Sequence, residues 1–132
     1  MAAHPDAELV RSGYDAFVRG DMETLGGLMT VDCVHHVPGT HPLAGHHKGR
    51  DNILNGYYRR MGEETGGTMR VELDNVMVDG RGHAISTHHY TAERMGRTID
   101  ERGALFFTIV GGKISDIDEC VDDIEAGNRF WS

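Results

Sequence analysis

The stretch "TMRVELDNVMVD", residues 68–79, decides the fold. Met69, Val71 and Leu73 recur at every second position, the spacing of a strand with one buried face. At Asp74–Asn75 the alternation slips, and it resumes with Val76 and Val78. A slip inside an otherwise regular strand marks a β-bulge, where one extra residue bends the strand and sharpens its twist. A sheet built on such a strand curls, and its concave side can hold a pocket.

The neighbours fit that sheet. "GHAISTHHYTAERM" (82–95) and "RTIDERGALFFTIV" (97–110) read as long strands joined at "MGR", a hairpin signal. "GGK" turns the chain into a last strand, "KISDIDECVDD" (113–123), followed by the tail "IEAGNRFWS" (124–132). Upstream, "HPDAELVRSGYDAFVRGD" (4–21) reads as a helix with Pro5 in its first turn. Its apolar stripe is Leu9, Val10, Gly13, Tyr14, Phe17 and Val18. Gly20 ends it, and Asp21 can cap a short second helix, "METLGGLM" (22–29). "VDCVHHV" (31–37) is a short strand, stopped by the Pro/Gly loop "PGTHPLAG" (38–45). "GRDNILNGYYRRMGEE" (49–64) is a third helix, burying Ile53, Leu54, Tyr57, Tyr58 and Met61. Helices first and antiparallel strands afterwards mean an α+β fold. The expected shape is a cone: three N-terminal helices on a curved, mostly antiparallel sheet around a pocket.

Composition bounds the function. The 132 residues form one expected domain, 1–132, and carry a formal net charge of -8. That charge, with scattered Lys and Arg, argues against a nucleic-acid partner. No run is long and apolar enough for a membrane span, and the first ten residues lack signal-peptide character, so the expected location is the cytoplasm. Cys33 and Cys120 sit in strand-like runs and are expected to be small buried hydrophobes.

Five of the nine histidines fall within residues 32–50, and three pairs are adjacent: His35–His36, His46–His47 and His88–His89. Neighbours on a strand point to opposite faces, so each pair offers one ligand to any given site. No metal is therefore expected. Alternation places Cys33, His35 and Val37 on the more apolar face of their strand, favouring His35 as the inward residue. In the last strand Glu119 shares a face with Ile117 and Val121, while Asp116, Asp118 and Cys120 point away. A carboxylate on an apolar face needs a partner, which makes Glu119 the natural group to orient an imidazole. His88 and Tyr90 share one face of their strand, and His89 takes the other.

Four stretches carry a family resemblance: "YDAFVRGDMETLGGLM", "HVPGTHPLAGHHKGRDNIL", "FFTIVGGKISDIDE" and "RFWS". They resemble the NTF2-like superfamily, and within it the SnoaL-like branch of ketosteroid-isomerase and polyketide-cyclase relatives, over nearly the whole chain. The resemblance implies a deep apolar pocket without a cofactor, and a homodimer formed through the outer sheet face. Ketosteroid isomerases place an Asp base just before a proline; here that position, before Pro38, is Val37. Limonene-epoxide hydrolases place a polar residue two positions before the proline, which is His36 here, and later carboxylates that correspond to Glu119 and Asp122. His88 and Tyr90 fall near the place of those hydrolases' Arg-and-Asp pair. Tyr14 lies one place from the family's phenol donor. On this basis His36 ranks ahead of His35 as the proton-moving residue. The expected function is a cofactor-independent acid–base enzyme, an isomerase, cyclase or epoxide-opening hydrolase. It would act on a small, largely apolar polyketide- or terpenoid-like molecule. The alternative is a non-catalytic small-molecule-binding dimer.

Overall fold

The computed structural model describes residues 3–132. Helix α1 (Pro5–Arg19) starts with proline in its first turn and ends at Gly20, whose φ of 70° is the left-handed conformation of a helix stop. Asp21 accepts a hydrogen bond from the Thr24 N–H at 3.1 Å and so caps α2 (Met22–Gly27). Strand β1 (Met29–Val37) and the short β2 (Gly45–Lys48) precede one continuous helical segment. That segment consists of α3 (Arg50–Ile53), a π turn (Leu54–Tyr58) and α4 (Arg59–Glu64). Strands β3 (Arg70–Val78), β4 (His83–Arg94), β5 (Arg97–Val110) and β6 (Lys113–Val121) follow, and α5 (Ile124–Trp131) closes the chain.

The six strands form one sheet in the order β2-β1-β6-β5-β4-β3. All neighbours run antiparallel except β1 and β6, which are parallel. The β3–β4 register shifts between Leu73 and Asn75, leaving Asp74 as the extra residue. The bulge read from the slipped alternation is therefore present, and the sheet is curved and unclosed. Helices cover its concave side. One core cluster is centred on Val10, Cys33, Ile53, Phe107 and Ile117, and a second gathers Leu43, Tyr57, Tyr90, Ile99, Phe130 and Trp131 towards the α5 end.

Four local expectations need correction. Gly45–Lys48 is strand rather than loop, because pairing with β1 supplies the order that four polar residues could not supply alone. The tail is a helix, α5, capped by Asp123 accepting from the Ala126 N–H at 3.1 Å, and it buries Gly127, Phe130 and Trp131. Val18 is 60% exposed, since the buried face of α1 follows Ala7, Val10, Gly13 and Ala16 instead. Cys33 is buried as expected, but Cys120 is exposed because alternation turns it to the outer face.

Two arginines at the β4–β5 hairpin hold α5 in place. Arg94 Nη1 donates to the carbonyls of Phe130 (3.1 Å) and Ser132 (2.8 Å), and its Nη2 donates to Glu64 (3.1 Å). Arg97 Nη1 donates to the carbonyls of Arg129 (2.9 Å) and Ser132 (3.0 Å). These cations meet the free carbonyls and negative dipole of a helix C-terminus. Replacing Arg94 by Ala is expected to cost about 1–3 kcal/mol, as loss of charged hydrogen bonds does, and to shift Trp131 fluorescence to the red. Denaturant unfolding with the fluorescence spectrum checks both. The same hairpin turns at Met95 (φ 51°) and Gly96 (φ 77°), both left-handed, as a two-residue type I′ turn demands. Met95 is 79% exposed, so Met95→Asn relieves strain without losing a contact. It is expected to raise stability by about 0.5–1 kcal/mol, read as a higher denaturation midpoint at unchanged slope.

Candidate active site

Between the concave sheet face, α1, the π turn and α5 lies an apolar cavity of about 110 Å³. Its walls include Val10, Phe17, Met61, Leu105, Ile117 and Trp131. Few polar groups reach it, and they fall into three clusters.

The first is centred on His35. From Cys33 to the end of β1 strand alternation is regular, so Cys33, His35 and Val37 are inward, at 0%, 2% and 7% exposure. His35 Nε2 lies 2.8 Å from Glu119 Oε1, and its Nδ1 lies 2.8 Å from the Tyr58 hydroxyl. Tyr57 donates to the same Glu119 oxygen at 2.9 Å. Burial alone would raise the Glu119 pKa, but the hydrogen bond and charge of His35, with the Tyr57 hydroxyl, hold it below the usual carboxylate range. Glu119 is thus an ionised acceptor, so His35 Nε2 carries the proton between them. The π turn explains how consecutive tyrosines both serve this cluster. Its wider i→i+5 winding narrows the angle between successive side chains, bringing Tyr57 and Tyr58 both onto the sheet-facing side. Burial, reinforced by Glu119, pushes both phenols well above their ordinary pKa and keeps them protonated.

The second cluster joins α1 to β4. The Tyr14 hydroxyl lies 2.7 Å from Ser86 Oγ and 2.6 Å from His88 Nδ1. His88 Nε2 has no hydrogen-bond partner among the described residues, and the ring lines the cavity. Burial lowers the His88 pKa below its ordinary 6.5, so the ring is neutral at pH 7. The ring lies over β5 because Gly103 leaves it room: a Cβ there would stand 2.8 Å from His88 Nε2.

The third cluster is Glu101 with Tyr90, whose hydroxyl donates to Glu101 Oε1 at 3.0 Å. His47 stacks on Tyr57 and hydrogen-bonds the Leu43 carbonyl at 2.7 Å, while His41 lies at the wall beside Trp131.

His35, Glu119, Tyr14 and His88 are therefore brought to one cavity, but His36 and Asp122 are not. The register shift of β1 lies between Met29 and Val34, and from Val34 to Val37 the pairing is regular, so His36 turns to the outer face, where Nε2 lies 2.9 Å from Asp116 Oδ1 and Nδ1 lies 2.6 Å from His46 Nδ1. The ranking of His36 over His35 as the pocket imidazole is corrected accordingly. Asp122 is exposed at the end of β6 and does not line the cavity, since alternation gives the inward places to Ile117, Glu119 and Val121. The outer-face set His36, Asp116 and Asp118 brings ligand-type atoms within 4.8 Å of one another, away from the cavity. Sequence reasoning missed Tyr57 and Tyr58 as hydrogen-bonding groups, together with Ser86 and Glu101. Tyr57 and Tyr58 read as core because nothing in their spacing announces a π turn. Glu101 carried a usable signal: it shares a strand face with Ile99 on one side and Leu105 on the other.

Known proteins are similar to this chain over its whole length. The model of the SnoaL-like domain matches residues 10–117. An uncharacterized Mycobacterium tuberculosis protein, Rv0034, is 34% identical over 135 residues, covering 100% of both chains. Among solved structures, Bal32a from a soil-derived mobile gene cassette is 39% identical with a TM-score of 0.94, covering 97% of each chain. An NTF2-like protein of unknown function from Burkholderia pseudomallei shares the fold at 17% identity, with a TM-score of 0.85 over 98% of this chain and 99% of its own. The curved sheet, the helices on its concave side and these matches agree, and the chain belongs to the SnoaL-like domain family of NTF2-like folds.

Proposed function

We propose that the protein is a cofactor-independent acid–base enzyme that removes a proton next to a carbonyl group of a small, largely apolar molecule. The observation that carries this reading is the free Nε2 of a neutral, cavity-facing His88 whose other ring nitrogen is held by Tyr14. His88 Nε2 takes the proton as the C–H bond breaks, and the electron pair moves onto the carbonyl oxygen. The oxygen is served by the chain Glu119–His35–Tyr58. The Tyr58 hydroxyl, held 2.8 Å from His35 Nδ1, lines the cavity and turns its O–H to the carbonyl oxygen as charge develops there. His88 and Tyr58 are the catalytic residues; Tyr14, His35, Glu119 and Tyr57 position them.

From the enolate, extended to a dienolate where the substrate carries a neighbouring C=C, return of the proton from His88 to the far carbon completes an isomerisation that moves the double bond. Attack of the enolate carbon on a second carbonyl of the same molecule forms a ring and completes an aldol cyclisation, with the His88 proton passing to the new alkoxide. Polyketide- or terpenoid-like molecules supply that chemistry. The reading includes a homodimer through the outer sheet face, supported by exposed Met77, Ile85 and Phe106, which are cross-strand neighbours there. It places the enzyme in the cytoplasm, which suits its two unpaired thiols. Among the described residues no helix is long and apolar enough to cross a membrane.

Alpha-carbon deuteration of 2-tetralone in D2O, followed by proton NMR, tests the proton step with a generic apolar ketone in place of the natural substrate. His88→Ala is expected to lower the protein-catalysed rate by about 100- to 1,000-fold, the usual worth of a general base. Tyr58→Phe should lower kcat more than it changes KM, whereas His36→Ala should leave the rate within about two-fold because its ring lies outside the cavity. An unchanged rate in His88→Ala would leave only the binding role. The pH profile adds a second check. His88 must be neutral to act, and its pKa lies below 6.5, so the rate should be level through neutrality and fall only at more acidic pH. A midpoint above 6.5 would assign the titration to another group.

A further inference from the structure

The proposed proton step uses one end of the cavity and leaves Glu101 idle. The inward side chains of the sheet fall into cross-strand rows. Ser86, Leu105 and Glu119 make one row; His88, Gly103 and Val121 the next; Tyr90 and Glu101 the third. Rows are about 7 Å apart along the strands, so Glu101 stands roughly 13 Å along the strand direction from Glu119 and about 7 Å from the His88 row. The His88 ring fills the room that Gly103 leaves in the middle row, and His88 and Glu101 line the same cavity.

Glu101 is 2% exposed. Tyr90 satisfies its Oε1, but Oε2 is buried and has no hydrogen-bond partner among the described residues. Thr30 Oγ1 and Glu64 Oε2 also lack a hydrogen-bond partner, but Glu64 Oε2 lies 3.2 Å from Arg60 Nε and neither residue lines the cavity, whereas Glu101 does. A buried carboxyl oxygen left without a partner is costly, and this one belongs to a side chain that lines the cavity. We infer that Glu101, held by Tyr90, is a second polar station that hydrogen-bonds a carbonyl oxygen at the far end of the ligand. Resting on the proposed acid–base reading, this narrows the substrate class to an elongated, mostly apolar molecule with two carbonyl groups roughly 7–13 Å apart.

The station acts as a donor. Burial pushes the Glu101 carboxyl up to about 7; the Tyr90 hydrogen bond opposes this, and Asp122, Glu119 and Asp123 reinforce it. The other titratable groups of the cavity are Tyr57 and Tyr58 of the π turn, Tyr14 of α1, His88 of β4, and His35 and His41 of β1 and the loop after it. None is a Lys or Arg that would hold Glu101 ionised. Below about pH 7 the carboxyl therefore carries a proton for Oε2 to donate.

Three probes of matched shape test the inference by isothermal titration: 2-acetylnaphthalene, 2-ethylnaphthalene and 1-(2-naphthyl)ethylamine. At about pH 6 the ketone is expected to bind about five- to ten-fold more tightly than the hydrocarbon, the gain of one hydrogen bond. The preference should shrink at about pH 8, as Glu101 ionises above 7. Glu101→Gln should keep it at both pH values, because the amide still donates. Glu101→Leu should bind both probes alike, and its hydrocarbon binding shows that it is folded. A preference unchanged in Glu101→Leu overturns the inference, as does failure of every probe to bind. Tightest binding by the amine, lost in Glu101→Gln, overturns it in favour of a cation site. His88→Ala separates the two readings. Ketone preference lost with His88→Ala but kept with Glu101→Leu sinks the station alone; full deuteration in His88→Ala with the preference lost in Glu101→Leu sinks the acid–base reading alone.

Discussion

A carboxylate on the concave face of an apolar sheet has to be answered, and the pairing of His35 with Glu119 is the answer on which the rest of this structure depends. Removing two polar groups from water costs several kcal/mol per charge, and a lone partner left behind would be worse. The pair survives because every nitrogen and oxygen facing the contact has a further bond. His35 is bonded at both ring nitrogens, and Glu119 Oε1 receives both His35 and Tyr57. This requires β1 to run parallel to β6 beside it, which places His35 opposite Ile117, one inward step from Glu119. It also requires a helix wound so that two consecutive tyrosines reach inward, which the π turn provides. The short Gly45–Lys48 strand contributes His47, which stacks flat on Tyr57 and fixes the phenol from behind.

The same constraint separates structural polarity from chemical polarity. His35 is saturated, so its ring meets a ligand only through Tyr58. His88 has one nitrogen held and one free, and its environment keeps it uncharged. Glu119 is held below the carboxylate range while Glu101 is pushed above it, within one cavity. Environments that drive two like groups in opposite directions are how a single fold offers both an acid and a base near neutral pH. The missing side chain at Gly103 is what lets the His88 ring lie over β5 at the cavity wall, because any side chain there would collide with it.

The outer face follows a different logic. The cross-strand row Met77, Ile85, Phe106, Asp118, His36 and His46 passes from apolar to titratable across the sheet. Adjacent histidines on β1 split between the faces, and those on β2 split likewise. Strand pairing then matches His35 with His47 inside and His36 with His46 outside. The histidine-rich stretch thus serves two surfaces, and only the inner one bears on the cavity.

Much of this was legible in the residues themselves. The slip at Asp74–Asn75 announced the bulge, and alternation along 31–37 and 113–121 pointed His35 and Glu119 inward. Period-two patterning is a property of the local backbone, so it reads directly from the chain. The resemblance that drew attention to His36 was a statement about position before a proline, and the regular end of the strand overruled it. Three further features lay beyond the sequence. The π turn, the ordering of Gly45–Lys48 and the docking of α5 arise only from contacts between segments distant in the chain. The protonation of Glu101 and His88 likewise depends on burial, which no single strand determines. The sequence by itself determined which side chains share a face; the tertiary structure alone decided which of them meet, because partners and desolvation come from neighbours that local patterning does not contain.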